Sequence, residues 1–301
     1  MTTIRHTIRE LSAAGDVFTS PVRVESVRPI SSGLVRIRVS GAGLSAYTDP
    51  RSADAFKLAI PVVGGTAEFP GRRTDRLPVW GDGPRPVLRA FTVRAVAPDR
   101  TWLDFDAWRH GDGYFTGWLR SATAGDEIGL SGMRREFHPG DGVDRHLLVG
   151  DACALPAIIT IAESLPAGMP VTAVIGVADA SDRELLAGRP GLDVHWVSDS
   201  APAGAGSVLA DAVVRSLPEP TGERIQAWIG AEAGVVREVR RHVLDRLGVH
   251  RDDLHAAAYW KAGEDSTARD AVLLSTYQRL VADGGSATDP DSREFADLDA
   301  S

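Results

Sequence analysis

The spacing of short apolar runs changes near residue 144, and this change restricts the fold of the chain more than any other feature. Before it, strand-like runs separated by Gly, Pro and Asp follow one another: VRVESV, GLVRIRVSG, AFKLAIP, VLRAFTVRAV and WLDFDAW. Such a succession is typical of an antiparallel barrel or sandwich. After it, strand-like and helix-like segments alternate, which indicates a mostly parallel sheet covered by helices. The sequence therefore predicts a β + α/β chain, with an antiparallel barrel over 18–143 and a parallel-sheet α/β domain over 144–264.

Two further segments lie outside this pattern. The stretch 63–86 is rich in Gly, Pro and Arg and is longer than an ordinary connection, so it is interpreted either as a lid or binding loop or as a flexible insertion. Residues 265–301 form a third region. In it, 269–283 is predicted to be a helix, and the polar, acidic remainder is predicted to be disordered.

Residues 146–158, HLLVGDACALPAI, have the form of a strand that passes through a short turn into a helix. The apolar run stops at Gly150 and Asp151, and Pro156 suits the first turn of a helix, where a missing N–H costs nothing. In an α/β sheet such a junction faces the crevice where nucleotides bind. The segment contains neither a G-x-G-x-x-G fingerprint nor a P-loop, so the junction alone does not identify a ligand.

The first half of the chain contains two short motifs. Arg89 to Thr92 read RAFT inside a strand-like run, and Gly113 to Thr116 read GYFT where a loop opens a helix. Backbone N–H groups at a helix start are free to hold a phosphate. The second motif is therefore a candidate phosphate site.

These motifs together resemble the flavin site of the ferredoxin reductase superfamily, and the whole chain resembles the siderophore-interacting protein family, also described as ferric-siderophore reductases. The segments that carry the resemblance are FKLAIP at 56–61, RAFTVRA at 89–95, GDACALPAI at 150–158, WIGAEAGVVREVRRHVLDRLG at 228–248 and AYWKAG at 258–263. They follow the family's order. The resemblance implies an FAD-binding β-barrel followed by an NAD(P)H-binding-like α/β domain.

The resemblance also implies roles for residues of the barrel. Arg89 is expected to pair with the flavin diphosphate, while Phe91 and Thr92 lie at the isoalloxazine ring and its reactive edge. Gly113 and Thr116 are expected to hold the remaining phosphate oxygens. Phe91 stands where the family usually has Tyr, so ring stacking is kept while a phenolic hydrogen bond is lost.

His110 lies near the family's His-Gly pair, so it either lines the flavin pocket or is an ordinary loop histidine. In the α/β domain, the resemblance places Gly150, Asp151 and Glu232 against the nicotinamide, although Glu232 would equally suit the start of a helix. Ala152 and Cys153 replace the Glu and Thr of the family pattern, which predicts weak NAD(P)H binding. Cys153 is interpreted as a buried small thiol in preference to a redox residue.

Lys57 and Lys261 match lysine or arginine positions that family members use to hold anionic ferric siderophores. The alternative for any single lysine is a solvated surface side chain. The chain departs from the family beside these positions: Ala55 replaces a histidine, and Tyr114 and its neighbours replace Pro-Ala-Ser. Both changes touch the expected flavin and substrate face, so they allow a changed activity.

Composition narrows the classes of function. With a formal net charge of −8, the chain is not expected to bind nucleic acid, and an anionic ligand would need a local basic pocket. A single cysteine excludes an internal disulfide and a cysteine-built metal site, so no metal is predicted and redox chemistry requires an organic cofactor. No apolar run reaches the ~18–20 residues of a membrane helix, and no secretory signal is present. A cytoplasmic protein without a membrane partner is predicted.

The sequence thus predicts an FAD-dependent oxidoreductase that reduces ferric siderophores to release Fe(II), with NAD(P)H or a ferredoxin as electron donor. Two alternatives stay open. One is a flavoprotein of the same fold that serves secondary-metabolite biosynthesis, in a tailoring or cyclisation step. The other is a non-redox protein that binds an iron chelate.

Overall fold

The computed structural model describes residues 3–14, 18–61, 71–74, 77–79, 86–109, 113–198, 208–216, 222–263, 275–276, 279 and 282–283. It divides the chain into two compact units, one of Ser12–Glu136 and one of Met1–Leu11 with Phe137–Ser301. Helix α1 (Ile4–Ala14), which the sequence patterns do not predict, begins in the second of these units, where Ile4 and Ile8 pack with Val143. Most of the helix predicted over 269–283, and the tail after it, lie outside the described residues.

The unit Ser12–Glu136 is a closed antiparallel barrel, as predicted, and the sandwich alternative is wrong. Its elements are β1 (Phe18–Pro29), β2 (Leu34–Ser40), β3 (Ala55–Ile60), β4 (Gly71–Thr74), β5 (Leu77–Val79), β6 (Val87–Val96), β7 (Trp102–Trp108), α2 (Tyr114–Ser121) and β8 (Glu127–Arg134). Among the described residues, the strands of the barrel follow the order β1-β2-β7-β6-β3-β8. The short β4–β5 hairpin forms a separate sheet inside the predicted loop 63–86, most of which lies outside the described residues.

Strand β8 closes the barrel by pairing with β1 on one side and with β3 on the other. Its sequence, EIGLSGMR, contains two glycines and is not among the predicted strands. It is extended because the edges of β1 and β3 both need backbone hydrogen-bond partners. Closure therefore depends on pairing across the chain more than on local propensity.

The barrel core follows from the alternation of apolar and charged residues along β2 and β7. Ile37, Leu103 and Phe105 are fully buried, and burying each side chain contributes ~1.5–3 kcal/mol. The residues between them face outward and form cross-strand ion pairs. Arg36 lies opposite Asp106, with Nε–Oδ1 at 2.6 Å, and Arg38 lies opposite Asp104, with Nε–Oδ1 at 2.7 Å.

The second unit contains the predicted parallel sheet, with strand order β11-β10-β9-β12-β13 among its described residues. Its elements are β9 (Arg145–Gly150), α3 (Leu155–Ser164), β10 (Val171–Val177), α4 (Ala180–Arg183), β11 (Leu192–Ser198), α5 (Val208–Ser216), β12 (Ile225–Glu232), α6 (Ala233–Asp245) and β13 (Leu254–Trp260). Every residue of β10 is buried, as expected for a central strand covered on both faces. No helix in the described part of the chain is long and apolar enough to cross a membrane.

The chain runs from β9 outward to β10 and β11, then returns to the other side of β9 for β12 and β13. The order of the strands therefore reverses between β9 and β12. In open α/β sheets the carboxyl ends of the two strands at such a point flank the ligand crevice. Gly150 ends β9, and Glu232 ends β12.

Candidate functional site

The RAFT motif lies on β6 and faces β3. Arg89 is paired with Leu58 and Phe91 with Phe56, and both partners are buried in the barrel core. Because paired residues of antiparallel strands project to the same side, Arg89 and Phe91 point toward the side of the core, and Thr92 points away from it. Arg89 is half-buried, and its Nη1 donates to the carbonyl oxygen of Leu88 at 2.7 Å. Thr92 is buried.

Phe91 joins the two flavin motifs through an aromatic cluster. Its ring centroid lies 4.9 Å from that of Phe105, 6.3 Å from that of Phe56 and 4.8 Å from that of Phe115. Phe115 belongs to the first turn of α2. The structure thus brings Arg89–Thr92 and Gly113–Thr116 together, because Phe91 and Phe115 belong to the two motifs. Sequence reasoning missed Phe115, although a large aromatic side chain inside a glycine-led helix start is an unusual signal.

Among the described residues, the N-cap position of α2 is held by Gly113, which has no side chain to cap the helix. Gly113 has φ −67° and ψ 164°, an extended conformation, and no described atom outside its chain neighbours lies within 4 Å of the position that its Cβ would take. Thr116 lies in the first turn, which contains no acidic residue. The first N–H groups of a helix have no carbonyl partner within the helix and carry partial positive charge. Binding of a flavin diphosphate by this turn and by the Arg89 guanidinium stays a prediction.

Tyr114, one of the departures from the family pattern, is fixed to the end of β3. Its hydroxyl donates to the carbonyl oxygen of Pro61 at 2.8 Å. The bond ties the first turn of α2 to the strand that carries Lys57. His110 lies outside the described residues.

A buried charge cluster next to β6 was not predicted. Asp54 is fully buried, and its Oδ2 accepts from the hydroxyl of Tyr47 at 2.6 Å, from the backbone N–H of Arg51 at 2.9 Å and from the guanidinium of Arg135. Burial raises the pKa of Asp54 to about 6, although Arg135 opposes the shift. The backbone oxygen of Asp54 accepts from Val93 N–H at 2.8 Å, so the cluster supports the strand beside Thr92. Tyr47, Arg51 and Asp54 are close in sequence, but Arg135 lies 81 positions from Asp54, so no motif reveals the cluster.

The two candidate lysines lie in different units. Lys57 is half-buried on β3 between Phe56 and Leu58, whose side chains fill the barrel core, so it faces outward. Lys261 directly follows β13 and is also half-buried.

In the second unit, Gly150 and Gly230 are register partners at the crevice. A Cβ on Gly150 would lie 2.9 Å from the carbonyl oxygen of Gly230 and 2.7 Å from the Cβ of Ala154. No larger residue fits without movement of the backbone. Gly150 therefore permits close packing of β9, β12 and the turn before α3.

The carboxylate of Asp151 accepts hydrogen bonds from other residues of the same unit. Its Oδ1 accepts from Cys153 N–H at 3.0 Å, and its Oδ2 accepts from Glu232 N–H at 3.0 Å and from Trp260 Nε1 at 2.7 Å. Burial raises the pKa of Asp151 to about 6, against the effect of these hydrogen bonds. Burial also raises the pKa of the Cys153 thiol well above its usual range, which agrees with an unreactive thiol, although the residue is half-buried and not fully buried.

Glu232 caps helix α6. Its Oε2 accepts from Gly234 N–H at 2.6 Å and from Val235 N–H at 3.2 Å, and its Oε1 accepts from Ala262 N–H at 3.2 Å. The structure thus brings Gly150, Asp151 and Glu232 to one crevice, where both carboxylates hold backbone donors. Trp260, which sequence reasoning missed, is adjacent to Lys261 in the YWKAG segment. A contact with either nicotinamide or substrate stays a prediction for these residues.

Two family models match the chain. The siderophore-interacting FAD-binding domain matches residues 23–137, and the siderophore-interacting protein matches residues 143–263. Among curated proteins, the chain is similar to the ferric vibriobactin reductase ViuB of Vibrio cholerae, with 29% identity over 242 residues, covering 79% of this chain and 88% of ViuB.

Two solved structures agree with these matches. A siderophore utilization protein from T. fusca has a TM-score of 0.72 and 27% identity, covering 82% of this chain and 94% of that protein. The siderophore-interacting protein SipS from Aeromonas hydrophila has a TM-score of 0.68 and 28% identity, with coverage of 88% and 98%. The barrel and the α/β unit are each matched by a model of the same family, in the expected order. The chain belongs to the siderophore-interacting protein family.

Proposed function

We propose that the protein is an FAD-dependent reductase that converts siderophore-bound Fe(III) to Fe(II). The observation that carries the proposal is the ring contact at 4.8 Å between Phe91 of the RAFT motif and Phe115 in the first turn of α2, in a unit that matches the siderophore-interacting FAD-binding domain. The name of ViuB, a ferric vibriobactin reductase, supports the same activity. When bound, FAD supplies a carrier that accepts two electrons from a donor and passes single electrons to iron. Reduction releases the iron because hard anionic oxygens hold Fe(II) less tightly than Fe(III).

The barrel residues divide between binding and orientation. Arg89 would neutralise the diphosphate, and Thr116 with the N–H groups after Gly113 would bind its remaining oxygens. Phe91 and Thr92 would contact the isoalloxazine, and His110 is proposed to line the same pocket. Three neighbouring phenylalanine rings hold Phe91 in place, so its position does not depend on a phenolic hydrogen bond.

The electron donor is NAD(P)H or a ferredoxin, and we expect NAD(P)H to bind weakly. The N–H groups of Cys153, Gly234 and Val235 face carboxylates of the protein, so they are not free for the phosphates of a dinucleotide. Gly150 is the remaining predicted nicotinamide contact. We expect a Michaelis constant for NADPH above ~1 mM, or faster reduction by a ferredoxin. Stopped-flow reduction with NADPH, NADH and reduced ferredoxin measures this, and saturation at micromolar NADPH would contradict it.

The substrate is proposed to be an anionic ferric siderophore, with Lys57 and Lys261 as its binding cations. A protein with a formal net charge of −8 repels anions at long range, so their binding requires local positive charge. Both lysines are half-buried, which reduces the screening of their charges by solvent.

A second candidate is a flavoprotein of the same fold that acts in secondary-metabolite biosynthesis. It is favoured by Tyr114, a departure from the family pattern whose hydroxyl donates to the carbonyl oxygen of Pro61. Rapid mixing of the reduced, FAD-loaded protein with ferric tris-catecholate distinguishes the two. Reoxidation with formation of Fe(II) supports the reductase. A stable reduced flavin favours the second candidate, whereas a protein that takes up no FAD would leave only non-redox chelate binding.

A further inference from the structure

Lys261 is anchored on both sides by hydrogen bonds to acidic residues of the crevice. The indole Nε1 of Trp260 donates to Asp151 Oδ2 at 2.7 Å, and the backbone N–H of Ala262 donates to Glu232 Oε1 at 3.2 Å. These contacts fix the residues immediately before and after the lysine. The segment that carries Lys261 is therefore attached to the carboxyl ends of β9 and β12.

A bulge between β12 and β13 makes the first contact possible. Ala231 is paired with Ala258, but the next pair is Glu232 with Trp260, so Tyr259 is an extra residue on β13. A bulge of this kind turns the following side chain in a new direction. Here it is followed by Trp260, whose indole reaches Asp151, a residue 109 positions away along the chain.

The two carboxylates are themselves immobilised. Asp151 and Glu232 are 9% and 7% exposed, and Asp151 Oδ2 also accepts from Glu232 N–H at 3.0 Å. Glu232 further caps α6 through Gly234 N–H at 2.6 Å. Each carboxylate thus joins the Lys261 segment to a packed element.

We infer that Asp151 and Glu232 are positioning residues for Lys261. They fix the backbone from which the lysine side chain extends, and so prepare it to bind an anionic chelate. A flexible four-carbon side chain loses less freedom on binding when its backbone is already fixed. The inference rests on the proposed substrate role of Lys261. It gives the two acidic residues a function that requires no contact with nicotinamide.

Trp260→Phe tests the anchor, since it removes the Nε1 donor and keeps an aromatic ring. Trp196→Phe is the matched control, because Trp196 is also half-buried and lies on β11 at the opposite edge of the same sheet.

Glu232→Gln is the second variant: one acceptor oxygen becomes a donor, so the bonds to α6 and to Ala262 cannot both remain. Amide hydrogen exchange of peptides covering 260–263, in the FAD-loaded protein, should accelerate about five-fold in both variants and not in the control. Unchanged exchange rates in both variants would show that these hydrogen bonds do not hold the Lys261 segment in place.

Recognition is measured with the gallium(III) tris-catecholate complex, an anionic chelate that is not reduced. Trp260→Phe and Glu232→Gln should each weaken its binding about five-fold, with an unchanged flavin spectrum. With ferric tris-catecholate, the Michaelis constant of Trp260→Phe should rise by the same factor while its kcat stays constant. In a Lys261→Ala background, Trp260→Phe should add no further loss, because its effect passes through the lysine.

The outcomes separate this inference from the proposed function. If Lys261→Ala weakens chelate binding but neither anchor variant does, the positioning role is wrong and the reductase proposal stands. If the effects of Trp260→Phe and Lys261→Ala simply add, the tryptophan acts independently of Lys261 and the inference fails. If Lys261→Ala binds the chelate normally in a flavin-loaded protein, the substrate role of the lysine and its positioning fail together. Should Trp260→Phe not fold, Glu232→Gln supports the same comparisons.

Discussion

Arg89 is the side chain on which the flavin proposal depends most. It is the cation of the RAFT motif, and it is half-buried, where a charged hydrogen bond to phosphate is worth ~1.5–3 kcal/mol. Arg89→Ala should therefore lower FAD affinity about ten- to a hundred-fold, as measured by flavin fluorescence titration of the apoprotein. Arg94→Ala on the same strand is the control, because Arg94 faces Asp106 with Nε–Oδ2 at 4.0 Å. Equal FAD affinity in the Arg89 variant and the wild type would contradict the proposed role of Arg89.

His146 makes stability depend on pH at the residue scale. It is 1% exposed on β9, and burial lowers its pKa from 6.5 to about 4, with a smaller effect from Arg189. The unfolded chain therefore takes up a proton near pH 6.5 and the folded protein only near pH 4. Acidification through this window favours unfolding. The loss amounts to about 2 kcal/mol between about pH 7.5 and pH 5.

His146→Leu should remove this contribution. As the pH falls from about 7.5 to about 5, the free energy of unfolding of the variant should rise by about 2 kcal/mol relative to that of the wild type, as measured by urea denaturation. The comparison with wild type is needed because Asp54 and Asp151 act in the opposite direction. Burial raises the pKa of each to about 6, so their contributions favour folding at low pH and are lost as the pH rises through 6. Parallel pH curves for variant and wild type would show that His146 does not titrate in this way.

At the scale of elements, Gly113 at the start of α2 is expected to favour FAD binding at the expense of helix stability. Gly113 is extended and has open space at its Cβ position, so Gly113→Asp can cap the helix without strain. The new carboxylate should raise the free energy of unfolding of the apoprotein by about 0.5 kcal/mol and lower FAD affinity more than about ten-fold, because it occupies the N–H groups and repels phosphate.

Gly113→Ala separates the two effects, since it adds a Cβ but no acceptor. It should bind FAD nearly as well as the wild type. Thermal unfolding and flavin titration of both variants provide the measurements. If the aspartate variant keeps full FAD affinity, the start of α2 is not the phosphate site.

At the scale of the whole molecule, each unit carries one lysine whose proposed substrate role can be tested by itself. Lys57→Ala and Lys261→Ala should each weaken ferric tris-catecholate binding by roughly 1–2 kcal/mol, and added salt should reduce the difference from wild type. The flavin spectrum should stay the same, because neither residue belongs to the proposed flavin site. Titration of the oxidised protein measures both effects. A double variant with an unaltered Michaelis constant would contradict the proposed substrate role of the two lysines and favour the secondary-metabolism alternative.

The sequence by itself determined the order of the two folds, the parallel sheet covered by helices and the family, because alternation, strand–helix succession and the RAFT and GDACALPAI motifs are local signals. Tertiary structure alone decided that EIGLSGMR closes the barrel, since that strand forms to satisfy the edges of β1 and β3. It also decided the surroundings of Asp54 and Asp151. Asp151 reaches Trp260 across 109 positions, and Arg135 reaches Asp54 across 81. Such buried carboxylates are set by which distant donors the fold brings to them, and no spacing along the chain encodes that.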